Sequence, residues 1–497
     1  MAVLLGIDLG TSGVKVSLLD SESGRIAGTA SGQYGVETPA PGWAEQSPEA
    51  WWSATVEALK GLHTKAPAAF AAVSAVGFSG QMHGLVTVDA QYRPVRPAII
   101  WLDQRAGKQL AQVEALITPL EMRMRLLNRV SMGFALPSLL WVRANEPENY
   151  ARIYRIMLPK DYIRMKITGE IASDASDASG TGMFDAVQRS WAWPLIERME
   201  LRPDIFPDIR ESTSIAGAVT AACARETGLP QGAEVVFGAG DQPCYSIGNG
   251  IIRPGLIAAN IGSSGQVSAY SDVPCRDEHL RTQTFCHAIR RGYTVFGATL
   301  CAGMSLNWLR HKILHAADYD AMTAMAAQVP AGAEGLLYLP YLTGERTPHM
   351  DPRARGAFFG LTLRHDDRYL IRAVMEGVVF SLRDSLNILT EMGLGSPEGS
   401  REIIASGAGA KSHLWLQMQA DILNRPVRTC AIEEQASLGA CVLAGLGTGV
   451  FDSPEAACDR LVRYQERIHE PDPKNQAVYA EAYARYRALY LQTRPLL

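Results

Sequence analysis

Asp8 stands two residues before a turn of small residues in the opening stretch Gly6-Ile7-Asp8-Leu9-Gly10-Thr11-Ser12-Gly13-Val14-Lys15. Glycines and short hydroxyl side chains let successive backbone N–H groups approach an anion, and the hydroxyls add donors, so such a turn can hold phosphate. The same composition also makes an ordinary hairpin. An acid at the mouth of a phosphate turn is repelled by its ligand unless a divalent cation lies between them. Asp8 therefore reads as a Mg²⁺ ligand, direct or through water, or else as a carboxylate that caps the turn. A second acid, Asp241, follows Val235-Val236-Phe237-Gly238-Ala239-Gly240. An apolar strand running into Gly-x-Gly and then Asp puts a carboxylate on a bend at a strand end, where α/β proteins keep their sites. Phosphoryl transfer to an alcohol needs a base beside the hydroxyl, and Asp241 could take that proton. The alternative is a structural turn aspartate.

A third group is Gln81, Met82 and His83 in Phe78-Ser79-Gly80-Gln81-Met82-His83-Gly84, with Asp103 and Arg105 in Trp101-Leu102-Asp103-Gln104-Arg105. Amide, imidazole, carboxylate and guanidinium groups supply the donors and acceptors that a polyol needs. Against this stand a core His83 and a solvated ion pair at Arg105. A fourth is Ile403-Ile404-Ala405-Ser406-Gly407-Ala408-Gly409-Ala410-Lys411-Ser412, whose spacing differs from a G-x-x-x-x-G-K-[ST] loop. Gly407, Ala408 and Gly409 could admit a flat adenine ring, or serve close helix packing.

The elements that must position these groups alternate in α/β fashion. Val3 to Ile7 and Val14 to Leu19 are strand-like runs around the first turn, which predicts a hairpin. A related pattern recurs where Leu256 to Ile261 leads into Gly262-Ser263-Ser264-Gly265 and then Gln266 to Tyr270. Superposing the turns pairs Asp8 with Asn260, Gly10 with Gly262, Thr11 with Ser263 and Gly13 with Gly265. Two copies of one device suggest two domains facing a common cleft. Ser47-Pro48-Glu49 predicts a helix start, with Trp52, Val56 and Leu59 on its buried face. Strands are expected at Val73 to Phe78, Val86 to Val88 and Ala98 to Ile100, and helices at Ser412 to Leu423 and Lys474 to Leu491. Gly248 to Gly255, with three glycines and a proline, is the expected hinge.

At 497 residues the chain exceeds what one core usually supports, so two domains are expected, divided as 1–250 and 251–497. A formal charge of -4 leaves no basic excess for nucleic acid. Eight cysteines without a C-x-x-C pair suggest neither zinc nor disulfides. Without a basic leader or a long apolar run, the expectation is a cytoplasmic protein that does not enter a membrane.

Together these residues resemble the FGGY family of carbohydrate kinases, within the actin and hexokinase superfamily, along nearly the whole chain. Further segments carrying the resemblance are Trp43-Ala44-Glu45-Gln46-Ser47-Pro48, Leu158-Pro159-Lys160-Asp161-Tyr162, Ala172 to Thr181 and Leu339-Pro340-Tyr341-Leu342-Thr343-Gly344-Glu345-Arg346-Thr347-Pro348-His349. The resemblance implies two ribonuclease-H-like domains, each carrying a copy of the phosphate hairpin, with ATP and Mg²⁺ in the cleft and closure on a small sugar substrate. It implies Asp241 as catalytic base and Asp8 as support for metal and γ-phosphate, so that the metal is held by Asp8 and Asp241. Met82 and His83 would line the sugar site, with Gln81, Trp43, Asp103, Arg105 and Gln242 around it. Thr11, Ser12 and Lys15 would face the phosphates from one side and Gly262, Ser263 and Ser264 from the other, with Gly407, Ala408 and Gly409 near adenosine. Within the family the chain is most similar to the branch acting on the 5-hydroxyl of D-xylulose; ribulose, sedoheptulose and glycerol are the other acceptors considered. Three departures from that branch are Gln242-Pro243 after Asp241, Leu102 in Trp-Leu-Asp-Gln-Arg, and Ser263 in the second turn. A sugar-independent, actin-like structural or sensor protein is the rival of another class, and a homodimer is left open.

Overall fold

The computed structural model describes residues 2–289, 291–395 and 402–496. Strand β1 (Val3–Leu9) is apolar on both faces and is buried by its neighbours. It pairs antiparallel with β2 (Gly13–Asp20), placing Asp8 opposite Lys15, and β2 pairs with β3 (Ile26–Gln33). On its other side β1 lies parallel to β4 (Val73–Gly80), with Asp8 beside Ser79. With β5 (Ile215–Ala218) and β6 (Glu234–Val236) the sheet runs β5-β6-β4-β1-β2-β3, and the short β7 (Ala239–Gly240) also pairs with β4.

Residues beyond 256 repeat the plan. β8 (Ile257–Ile261) and β9 (Gly265–Ser271) form the second hairpin, and β10 (Gln283–Cys286) and β11 (Tyr293–Thr299) extend it. β12 (Ile403–Ser406) and β13 (Val427–Thr429) lie parallel to β8, giving the order β10-β11-β9-β8-β12-β13. The two turns differ in length. The first closes with Gly10 N–H donating to Gly13 O, the second with Gly262 N–H donating to Ser264 O, so the second hairpin is one residue tighter.

Helix α1 (Pro48–Lys65) starts as expected, Ser47 capping the N–H of Ala50, and buries Trp51, Trp52 and Leu59 against β2 and β3. The other helices that position the site are α2 (Pro159–Thr168), α3 (Asp241–Gly248), α4 (Asp367–Glu391), α5 (His413–Leu423), α6 (Gln435–Gly447), α7 (Pro454–Leu461) and α8 (Pro473–Thr493). α4 covers the second sheet against β9 and β11, and α5 and α8 pack on α4. No described helix is long and apolar enough to cross a membrane.

The late helix α6 crosses back to the first sheet. Its buried Leu438, Cys441, Val442 and Leu443 share one core with Leu4, Leu19, Ala75, Val236 and Ile247, and α7 adds Ala457 and Leu461. Three glycines allow backbone-to-backbone approach. A methyl group at Gly6 would sit 2.3 Å from Ser437 O, one at Gly77 2.0 Å from Ala440 O, and one at Gly439 2.1 Å from Cys244 O. Residue 250 thus divides the two sheets, while the core of the first is completed by residues 435–461.

Beneath β7 lies a buried charge network. Lys160 Nζ is 2.7 Å from Asp161, 2.6 Å from Asp174 and 3.2 Å from Asp177, and Arg164 is 2.6 Å from Asp161. All five side chains are sealed from water. Burial pushes the Asp177 carboxyl well above its usual range. Ser176 Oγ donates to Asp174 and accepts from Gly240 N–H at 3.2 Å, so the network holds the residue just before Asp241.

Two outcomes are expected. Gly77→Ala should lower unfolding stability by about 2–3 kcal/mol through overpacking against α6; urea denaturation checks it, and an unchanged midpoint would contradict the close contact. Lys160→Met should cost about 3–5 kcal/mol, because it strands buried carboxylates. A loss no larger than that of an exposed Lys108→Met control would count against the network.

Candidate active site

The end of β1, the end of β4 and the start of α3 converge, and each brings one polar group. Asp8 accepts a 2.7 Å bond from Ser79 Oγ of β4. Asp241 opens α3, following Gly240 at the N-cap, rather than lying on the bend its sequence suggests. Burial raises the Asp8 carboxyl, opposed by the Ser79 bond. Burial, then the charge of Asp8, raises Asp241 to about 7, with its own hydrogen bonds to Gln242 acting the other way. A carboxylate near neutrality can take a proton from an alcohol at physiological pH and hold it through the transition state.

Met82 lies against Gly240, just before Asp241, and His83 follows it in the chain. A methyl group at Gly240 would sit 2.6 Å from Met82 Cγ, so residue 240 must stay small for Met82 to pack there. His83 has a φ of 72°, a left-handed conformation uncommon for a residue with a side chain. Its ring stacks on Phe134 at 4.4 Å and meets Phe285 of β10 at 5.5 Å. Nδ1 lies 2.6 Å from Gly180 O and, facing a carbonyl, must carry the proton. Burial lowers the imidazole to about 4, so the ring is neutral and Nε2 is a bare acceptor.

Gln81, Asp103 and Arg105, expected to face a sugar, face the scaffold instead. Gln81 Nε2 donates to Gln46 Oε1 at 2.9 Å, and Gln46 Nε2 donates to Thr11 O at 2.7 Å, tying β4 to the first turn. Asp103 accepts from Ala44 N at 2.6 Å and from Arg105. Arg105 also reaches Glu45 at 2.6 Å, and its guanidinium lies 3.7 Å from the centre of the Trp43 ring. Arg105 is therefore a buried ion pair, not a solvated one, and Trp43 covers it.

In the first turn Ser12 is exposed and Thr11 Oγ1 accepts from Trp101 Nε1 at 2.9 Å. Lys15 pairs with Glu434 at 2.8 Å, just before α6. In the second turn Ser263 and Ser264 are exposed, Gly262 is partly buried, and the carbonyls of Gly262 and Ser263 accept from Gly303 and Met304. Gly407 and Ala408 are exposed while Gly409 is buried. A methyl group at Gly407, whose φ is 77°, would sit 2.3 Å from Asn260 Oδ1, and one at Gly409 2.6 Å from Ile261 Cβ. Close packing on the second hairpin thus dictates both glycines and leaves Ala408 facing out.

Helix α3 also bridges to the second sheet. Gln242 Oε1 accepts from Gln266 Nε2 at 2.5 Å, and the hydroxyls of Tyr245 and Ser406 are in contact. Sequence reasoning assigned no role to Gln266, Tyr245 or Lys160. Only Lys160 carried a local signal, a lysine in an otherwise apolar stretch with acids at 161, 174 and 177. Among the described residues no group of three or more His, Cys, Asp or Glu side chains forms a metal cage. Two carboxylates at a phosphate turn still suit Mg²⁺, which takes most of its ligands from water and phosphate.

Comparison with known proteins agrees with this geometry. The profile for the N-terminal domain of the FGGY family of carbohydrate kinases matches residues 3–248, and that for the C-terminal domain matches residues 257–448. The chain is 37% identical over 497 residues to a xylulose kinase of Lactococcus lactis, covering 99% of this chain and 97% of that one. A gluconokinase of Bacillus subtilis is 31% identical over 469 residues, covering 92% and 90%. The crystal structure of a xylulose kinase from Rhodospirillum rubrum superposes with a TM-score of 0.91 at 30% identity, covering 99% of both chains. With the duplicated hairpin, the paired acids and family profiles spanning both halves, the chain belongs to the FGGY family of carbohydrate kinases.

Proposed function

We propose that this chain transfers the terminal phosphoryl group of ATP to the 5-hydroxyl of D-xylulose, giving D-xylulose 5-phosphate and ADP. ATP is the donor that membership of this kinase family implies. The single observation that carries the mechanism is Asp241, raised to about 7 by burial and the charge of Asp8, at the start of α3 where Met82 packs on Gly240. Near-full-length similarity to xylulose kinases supports the choice of sugar.

In this reading the halves 1–250 and 251–497 form the two jaws, the second lending α6 and α7 to the first. His83 Nε2 accepts from a sugar hydroxyl, and Met82 gives the carbon chain an apolar wall. Asp241 removes the proton of the attacking hydroxyl as its oxygen bonds to phosphorus. Asp8 and Asp241 would hold Mg²⁺, directly or through water, and the ion would supply neutralisation of phosphate charge. Thr11, Ser12 and Lys15 face the phosphates from the first hairpin and Gly262, Ser263 and Ser264 from the second, with Gly407, Ala408 and Gly409 beside adenosine. Gln81, Asp103, Arg105 and Trp43 act behind this surface by fixing the loops that carry it. Eight unpaired cysteines suit a reducing compartment, the cytoplasm.

Asp241→Asn should lower kcat by about 10²–10⁴-fold with ATP affinity largely retained, because the proton acceptor is lost while Asp8 and the phosphate turns still hold the nucleotide and its metal. Near-normal turnover would refute the base. An ADP-release assay across D-xylulose, ribulose, sedoheptulose, glycerol and gluconate tests the acceptor, with D-xylulose expected to give the largest kcat/KM. Equal turnover without any sugar would point instead to an actin-like ATPase. His83→Ala should raise the KM for sugar well above any change for ATP, whereas parallel changes would mark a purely structural histidine.

A further inference from the structure

Arg346 stands in the connection between β11 and α4, fixed on both sides. Its predecessor Glu345 accepts from Thr299 Oγ1, from Leu300 N–H at 3.0 Å and from the N–H of Arg346 itself at 2.7 Å. Its successor Thr347 donates its N–H to Ala298 O at 2.9 Å, accepts from Ala298 N–H at 3.1 Å and donates its hydroxyl to Arg281 O at 2.7 Å. These anchors lie at the end of β11, where Thr299 pairs with Gly265 at the base of the second phosphate turn. Between them the Arg346 side chain is enclosed by protein and only partly reached by water.

Among the described residues its guanidinium has no hydrogen-bond or ion-pair partner. The one carboxyl beside it, Glu345, is raised to about 8 by burial and so stays mostly neutral at physiological pH. Enclosing a cation without a partner is costly. The strand pair that anchors it also carries Phe285, whose ring meets that of His83 of the first half at 5.5 Å. The charge of Arg346 adds to burial in disfavouring protonation of that imidazole, whose Nδ1 faces Gly180 O and whose Nε2 is an acceptor.

We infer that Arg346 is a sugar-specificity residue lent by the second half, pairing with His83 to grip the end of the acceptor remote from the transferred phosphoryl group. The chemistry it fits is an α-hydroxyketone. A ketone oxygen only accepts, which suits a donor-only guanidinium, while the adjacent hydroxyl can donate to His83 Nε2. Asp241 lies instead with Asp8 and Gln242, so the two ends of the sugar meet different chemistry. This inference rests on the ketose reading of the site.

The test compares Arg346→Met and Arg346→Lys with wild type, using KM for D-xylulose, KM for ATP and the inhibition constant of xylitol, which lacks the carbonyl. Arg346→Met should raise the KM for D-xylulose by about 10- to 100-fold, as expected for losing a charge-assisted hydrogen bond. KM for ATP and inhibition by xylitol should move by no more than about twofold, and Arg346→Lys should recover part of the loss. The unchanged ATP constant also reports that the variant is folded. An unchanged KM for D-xylulose, or parallel losses for sugar and ATP, would overturn the assignment. Equal weakening of xylulose and xylitol would overturn recognition of the carbonyl. Failure of the acceptor reading shows separately, in the wild type, as a preferred substrate that is not a ketose.

Discussion

Two carboxylates close together in a water-poor cleft cannot both hold a full charge cheaply, and the placement of Asp8 relative to Asp241 is the constraint on which the rest depends. The scaffold fixes that placement from several directions. Asp8 is carried on β1 and bonded to Ser79 of β4, and Asp241 opens α3 behind a residue tied to the buried Lys160 network. One helix, α6, packs on β1, on β4 and on α3 together. Its contacts run through glycines at backbone distance, which leaves little room for the two acids to drift apart.

The two halves solve different binding problems with one device. In each, a hairpin lies parallel to a strand that ends in Ser-Gly, with Asp8 beside Ser79 and Asn260 beside Ser406. In the first half the residues after Ser-Gly are Gln81, bonded to Gln46, and then the large side chains of Met82 and His83. In the second they are Ala408, small and facing out, and Gly409, packed down on the hairpin. Replacing Asp8 by Asn260 at the equivalent position removes a charge, so the acids gather on one side. The same backbone plan thus holds a charged, side-chain-rich surface opposite a smooth one.

What the sequence disclosed was local. The hairpins, the Ser47 cap of α1 and the helices α5 and α8 follow from turn chemistry and periodicity within a few residues. The inward turn of Gln81, Asp103 and Arg105 depends on Gln46, Ala44, Glu45 and Trp43, which lie 35 to 62 positions away and meet them only in the fold. The return of α6 was equally hidden, because a helix apolar on all sides announces burial without naming the sheet that buries it. The tighter second turn hangs on one hydrogen bond, and within it only Ser263 for Thr11 changes residue type. Asp241 was placed at the correct strand end, but the helix it opens was not foreseen.

The two halves meet along two seams of different make. Gly248 packs on Gln435, Tyr464 donates to Asn249 O at 2.9 Å, and Cys430 donates to Asn249 Oδ1 at 3.4 Å, so the three chain passages near 249, 432 and 464 run side by side. That seam, the expected hinge among them, is covalent and closely packed. The other seam is joined by Asn128 with Thr284, by Ser179 with Cys286 and by the ring contact of His83 with Phe285. Hydrogen bonds of this kind exchange with water at little net cost, whereas backbone-close glycine packing does not. In the proposed reading a ligand beside His83 meets this second seam, where Met82 and Phe134 of the first half share one buried apolar cluster with Phe285 of the second.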